Sequence, residues 1–81
     1  MEKQVELPEL SQEEDAPEEG EISFWYVQEG ETLKEGQDLA EIITDKAAFT
    51  VPAPVGGTLK TILKDEGDKV KVGEEIAVIE Q

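Results

Sequence analysis

Lys46 is the residue of this chain best placed to do chemistry. It stands between two apolar, strand-like runs, Leu39–Ile43 and Ala47–Val51, with only Thr44 and Asp45 separating it from the first. A tight reversal there puts its amine at a hairpin tip, in solvent and within reach of an enzyme. Such an amine can be acylated: an amide forms, a positive charge disappears, and the formal net charge moves from −14 to −15. The flexible four-carbon lysine stem then becomes part of a mobile arm. The reversal has no Gly or Asn for a type I′ or II′ turn. A type I turn accepts Asp and Lys at its central positions. Thr44 or Asp45 can cap it with a side-chain oxygen. The other lysines, Lys3, Lys34, Lys60, Lys64, Lys69 and Lys71, read as ordinary solvated charges.

Composition narrows the rest of the chemistry. The chain has 81 residues, the size of one small domain. It has no cysteine, so no disulfide or thiolate metal site holds it together. It has no histidine, which removes the commonest general base and metal ligand. Arginine is also missing, since the 7 cations are all lysines, against 21 acidic residues. A net charge of −14 argues against nucleic acid and anionic membranes as partners and favours a basic protein surface. No apolar run approaches the ~20 residues of a membrane span. The N-terminus lacks the basic and apolar regions of a signal peptide. A stand-alone enzyme and a metal site are therefore not expected.

The elements that must position Lys46 come from an internal repeat. Glu29–Ile42 aligns with Glu66–Ile79 at a constant offset (67 − 30 = 73 − 36 = 37). Gly30 and Gly36 recur as Gly67 and Gly73, and Leu39-Ala40 as Ile76-Ala77. Upstream, Gly20, Ile22 and Trp25 map to Gly57, Leu59 and Ile62. Two equivalent units in one domain follow. Short apolar stretches rich in Val, Ile and Thr, broken by Gly, Pro and Asp, read as strands. They are expected near 4–7, 21–27, 38–44, 47–52, 56–63 and 75–80, with short extended pieces near 32–33 and 69–70. No helical periodicity is sustained. The expected fold is all-β: a flattened barrel or sandwich of two four-stranded antiparallel sheets with pseudo-two-fold symmetry, which closes most edges. The repeat places Ile22 and Trp25 in the core and Phe24, the mate of Thr61, nearer the surface. The step from 22 to 25 breaks alternation and implies a bulge. Residues 9–21 are acidic and read as a solvated loop.

Glu41-Ile42-Ile43-Thr44-Asp45-Lys46-Ala47 resembles the lipoyl-attachment motif, Glu-x-x-Thr-Asp-Lys-Ala, of the lipoyl domains in 2-oxo acid dehydrogenase complexes. Ile43 departs from the acidic residue frequent there. The resemblance extends over nearly the whole chain. Val5-Glu6-Leu7-Pro8-Glu9-Leu10 is similar to the family's opening strand, and Gly20-Glu21-Ile22 with Trp25-Tyr26-Val27-Gln28-Glu29-Gly30 to its second strand and turn. Val51-Pro52-Ala53-Pro54, Gly56-Gly57-Thr58-Leu59 and Gly67-Asp68-x-Val70-x-Val72-Gly73 complete the match. The family's fold is this barrel-sandwich hybrid.

The resemblance implies a swinging-arm carrier that is not itself catalytic. Lipoate would be amide-linked to Lys46, with Thr44, Asp45 and Ala47 forming the supporting turn. Implied partners are a thiamine-diphosphate decarboxylase that acylates the arm and an acyltransferase catalytic domain that passes the acyl group to coenzyme A. A dihydrolipoyl dehydrogenase reoxidises the dithiol, and a lipoate–protein ligase or the lipoyl-synthase route installs the group. The domain is expected to be monomeric and excised from the N-terminal part of a larger dihydrolipoamide acyltransferase. Its expected compartment is a bacterial or archaeal cytoplasm or the mitochondrial matrix. The stretch from Pro8 to Gly20 is longer than is common in the family, and Ser11 replaces a frequent glycine. Glu13, Glu14 and Asp15 are accordingly expected to help the decarboxylase recognise the domain. The alternative is a biotin carrier, which shares the fold but typically has methionine on both sides of its lysine; here Asp45 and Ala47 flank Lys46.

Overall fold

Leu39-Ala40 and Ile76-Ala77 show how the repeated sequence becomes repeated structure. Strand β4 (Asp38–Ile43) and strand β8 (Glu75–Glu80) carry the same burial order: exposed, two buried, half-buried, buried, exposed. Simple alternation forbids two consecutive buried residues. A bulge permits them. The pairing shifts register between Asp38 and Ala40 in β4, and in the same place opposite Glu75 and Ala77 of β8.

The computed structural model describes residues 1–8 and 18–81, and among them forms eight strands and no helix. The remaining strands are β1 Glu2–Glu6, β2 Glu19–Trp25, β3 Thr32–Leu33, β5 Ala48–Pro52, β6 Gly57–Ile62 and β7 Lys69–Lys71. One sheet has the order β1-β8-β6-β3 and the other β5-β4-β2-β7. All pairings are antiparallel. Exchanging β1 with β5, β2 with β6, β3 with β7 and β4 with β8 turns one order into the other. That exchange is the expected pseudo-two-fold, and the fold is the expected flattened barrel-sandwich.

The symmetry reaches single residues. Val5, Leu7, Ile22, Leu33, Leu39, Ala40 and Ile42 are buried, and so are their mates Val51, Ala53, Leu59, Val70, Ile76, Ala77 and Ile79. The offset is 37 from β2 onward, and 46 between β1 and β5 (51 − 5 = 46). Val27 is the one other buried apolar side chain among the described residues, and its mate is Lys64. Loop contacts repeat too. The Gly30 amide donates to the Leu59 carbonyl at 2.7 Å, and the Gly67 amide to Ile22 at 2.7 Å. Both glycines need φ near +90°, at 94° and 93°, which only glycine adopts at no steric cost.

Boundaries differ slightly from the sequence reading. β2 begins at Glu19, two residues early, because Glu19 and Gly20 pair with Lys71 and Val70. It ends at Trp25, yet Tyr26 still donates to the Leu39 carbonyl at 2.8 Å. The expected bulge lies between Ile22 and Phe24 and recurs between Leu59 and Thr61. Ile22 is fully buried and Phe24 exposed, as the repeat implied. Trp25 packs against the core but stays partly buried. Its indole N–H needs an acceptor, and finds the Lys64 carbonyl at the rim, 2.8 Å away.

Candidate functional site

β4 and β5 are registered so that Ile43 faces Ala48, leaving Thr44, Asp45, Lys46 and Ala47 to close the hairpin. The Thr44 amide donates to the Ala47 carbonyl at 2.9 Å, as the last rung of the ladder. The Thr44 hydroxyl does the rest. Its Oγ1 accepts from the Lys46 and Ala47 amides, each at 3.1 Å, and donates to the Ala47 carbonyl at 2.9 Å. One side chain thereby serves two amides of the tight turn and gives the Ala47 carbonyl a second donor. No described non-glycine residue has positive φ, so Asp45 and Lys46 are not in a primed turn. Lys46 is exposed at the tip.

The surroundings of the turn are acidic and shallow. A cleft beside it is lined by Glu19, Glu21, Ile43, Thr44, Asp45 and Lys69. Glu19 and Glu21, at the start of β2, are therefore next to the turn. Just before them, the Glu18 carbonyl accepts from the Val72 amide at 2.9 Å. Thr44, Asp45, Lys46 and Ala47 together make the turn between β4 and β5. Glu13, Glu14 and Asp15 lie outside the described residues.

Among the described residues, no group of three or more acidic side chains is arranged to hold a metal ion. What the turn offers is a hydrogen-bonded mount, an exposed lysine and an acidic apron.

These features match a known group of proteins. A family model named Biotin_lipoyl and described as "Biotin-requiring enzyme" matches residues 3–79. The chain belongs to the biotin/lipoyl attachment family. Among curated biotin/lipoyl relatives, the dihydrolipoyllysine-residue acetyltransferase component of the pyruvate dehydrogenase complex of Staphylococcus epidermidis is 42% identical over 62 residues. The same component in Staphylococcus aureus is 40% identical over 62 residues. Each alignment covers 76% of this chain and 14% of the relative, so the chain spans a small part of the proteins it matches. The lipoyl domain of the 2-oxoglutarate dehydrogenase complex from Azotobacter vinelandii superposes with a TM-score of 0.69 at 27% identity, covering 95% of this chain and 96% of that one. The Kluyveromyces lactis urea carboxylase gives a TM-score of 0.80 at 21% identity, covering 99% of this chain and 6% of that one. That second likeness is one of fold alone.

Sequence reasoning missed one surface on the outer face of the β2–β4 pair. Tyr26 follows the end of β2, and its hydroxyl lies 3.4 Å from Glu41 Oε2. Its ring stands edge-on to Phe24, with centroids 5.2 Å apart and planes at 75°. Desolvation, then the Glu41 carboxylate and Asp38, raise the Tyr26 hydroxyl above the usual phenol range. The signal for this pair was in the sequence: Phe24 and Tyr26 have the non-aromatic mates Thr61 and Leu63.

Proposed function

We propose that this chain is a lipoyl carrier domain in which Lys46 bears lipoate as an amide. The observation that carries the reading is the Thr44-braced turn with Lys46 at its exposed tip. The brace keeps the backbone at Lys46 in one conformation, so a modifying enzyme meets the amine without first ordering a loop. The lysine nitrogen forms a bond to an activated carboxyl carbon, loses a proton, and the activating group leaves. When bound, lipoate supplies a dithiolane that takes up an acyl group as its S–S bond opens. The chain contributes reach, exposure and tethering, which raise the arm's effective concentration at each active site.

The two staphylococcal relatives and the Azotobacter domain support lipoate over biotin. So do Asp45 and Ala47, which stand where biotin carriers typically have methionine. The likeness to urea carboxylase favours biotin only through the fold. In this reading the domain is part of a longer acyltransferase chain. Its partners are a thiamine-diphosphate decarboxylase, the acyltransferase catalytic domain and dihydrolipoyl dehydrogenase, in a bacterial cytoplasm or equivalent compartment. The discriminating experiment offers the chain to a lipoate–protein ligase and to a biotin–protein ligase in parallel. Lipoylation without biotinylation supports the proposal, and biotinylation alone overturns it.

A further inference from the structure

Both halves of the molecule solve the same folding problem, so a surface residue that differs between mates is not required by the fold. Phe24, Tyr26 and Ile43 are 49%, 46% and 39% exposed, and all lie in the half that carries Lys46. Their mates are Thr61, Leu63 and Glu80. The three flank Glu41 on the outer face of its sheet: Phe24 is opposite Glu41 across the β2–β4 pair, Tyr26 reaches the Glu41 carboxylate, and Ile43 is two residues along the same strand. The mate of Glu41 is Val78, so the charge at the centre also belongs to this half alone. Leu63 is also exposed, at 44%, so the halves differ at Phe24 against Thr61, at Ile43 against Glu80 and in having an aromatic pair beside a carboxylate.

We propose that this face is the docking surface for the ligase that acylates Lys46, and that it receives an arginine-bearing apolar patch of that enzyme. This rests on Lys46 being the attachment site. Thr44 is three residue steps beyond Glu41, roughly 10 Å of strand. Amide formation must bring the lysine nitrogen itself to the activated carboxyl carbon, where the N–C bond forms, the adenylate supplied by a nucleoside triphosphate departs, and the amine loses its proton. The ligase must therefore cover the turn, and its footprint extends onto this face. A partner that reads only the far end of a loaded arm has no such need. Charge complementarity sets the chemistry of the occupant. Glu41, with Asp38 and Glu21 nearby, asks for a cation, and the exposed rings of Phe24 and Tyr26 offer faces on which a guanidinium stacks. Aromatic side chains also bury enough area to dominate interface energetics, and tyrosine is enriched at hot spots.

The test is steady-state lipoylation of the chain by a lipoate–protein ligase, varying the chain concentration. Phe24→Ser with Tyr26→Ser is expected to lower kcat/KM about tenfold or more, through KM, with the same final mass gain. Leu63→Ser, the exposed apolar mate in the other half, is expected to leave kcat/KM within about twofold. Circular dichroism and a thermal melt establish that each variant is folded. Tyr26→Phe, which keeps the ring, is expected to retain most of the activity and separates docking from simple destabilisation. The proposal is overturned by a folded double variant with unchanged kcat/KM, by an equal loss in Leu63→Ser, or by a defect confined to acylation of the loaded domain. No mass gain on the parent chain would overturn the attachment reading itself, and this surface with it.

Discussion

The two ends of the pseudo-two-fold differ in one respect that decides function. At one, β4 passes into β5 through Thr44–Ala47, with the Thr44 amide donating to Ala47 at 2.9 Å. At the other, β8 meets β1 and the Gln81 amide donates to the Met1 carbonyl at 2.7 Å. Gln81 is the mate of Thr44 and Met1 the mate of Ala47, so this is the same rung of the same ladder. Backbone pairing needs nothing more at either end. The Thr44 hydroxyl with its three contacts, and the lysine it presents, exist at one end only. The comparison separates what the sheet requires from what has been added to it.

The largest effect is expected where the halves are packed most tightly. A methyl at Gly57 would lie 2.4 Å from the Glu80 carbonyl oxygen, at a φ of 153°. A methyl at Gly20 would lie 2.4 Å from Cγ2 of Ile42, a fully buried β-branched side chain, and 3.1 Å from the Ile43 carbonyl oxygen, but without positive φ. Gly57→Ala is expected to cost about 3 kcal/mol or more, because backbone strain adds to the clash, and Gly20→Ala about 2–3 kcal/mol from overpacking alone. Urea unfolding measures both. A loss at Gly20 equal to that at Gly57 would contradict the added backbone cost.

Next comes the turn. Thr44→Val removes the oxygen that serves the Lys46 and Ala47 amides while keeping the β-branched shape. A loss of about 1 kcal/mol is expected, a fall in Tm of roughly 4–8 °C for a domain this small. Thr44→Ser should recover most of it. Gln81→Val, at the equivalent position, is expected to change stability by less than about 0.5 kcal/mol. Thermal melts of the three variants sharpen or break the claim that the hydroxyl is specific to the lysine end.

The smallest effect is electrostatic. The Lys71 amide donates to Glu74 Oε1 at 2.8 Å, and its mate is Lys34 donating to Gln37 Oε1 at 3.0 Å. The bond from Lys71, then Lys64 beside it at 3.4 Å, hold the Glu74 carboxyl below the usual carboxylate range. A carboxyl lowered by folding stabilises the native state above its unfolded pKa and stops doing so as pH falls through the folded one. Wild-type stability is therefore expected to decline in acid more steeply than that of Glu74→Gln, which copies the uncharged mate. Unfolding midpoints between neutral pH and pH ~3 give the comparison.

Much of this was legible in the sequence because two copies of one unit check each other. Ile22 against Leu59 identified a core position, Phe24 against Thr61 an exposed one, and the shared spacing the bulge between them. The Asp45-Lys46 reversal was legible because it lacks glycine, which left a side-chain cap as the means of closing it. Which oxygen does so was not, since Thr44 and Asp45 are equally able by type and only the backbone geometry selects Thr44. The partial exposure of Trp25 was hidden for a similar reason. The repeat gives its position, but the need of its N–H for the Lys64 carbonyl depends on a contact 39 residues away. The Phe24–Tyr26 pair was half legible: the repeat marks both positions as departing from their mates, but not that the two rings meet. Only the folded face shows them together beside Glu41.

The central claim is that Lys46 is the residue that receives the carried group. Its most direct test is the intact mass of the chain and of Lys46→Ala after incubation with lipoate, a nucleoside triphosphate and a lipoate–protein ligase. A gain of one lipoyl group on the parent chain, none on the variant, and matching thermal melts are predicted. A gain on both, or on neither with the parent chain folded, would contradict it.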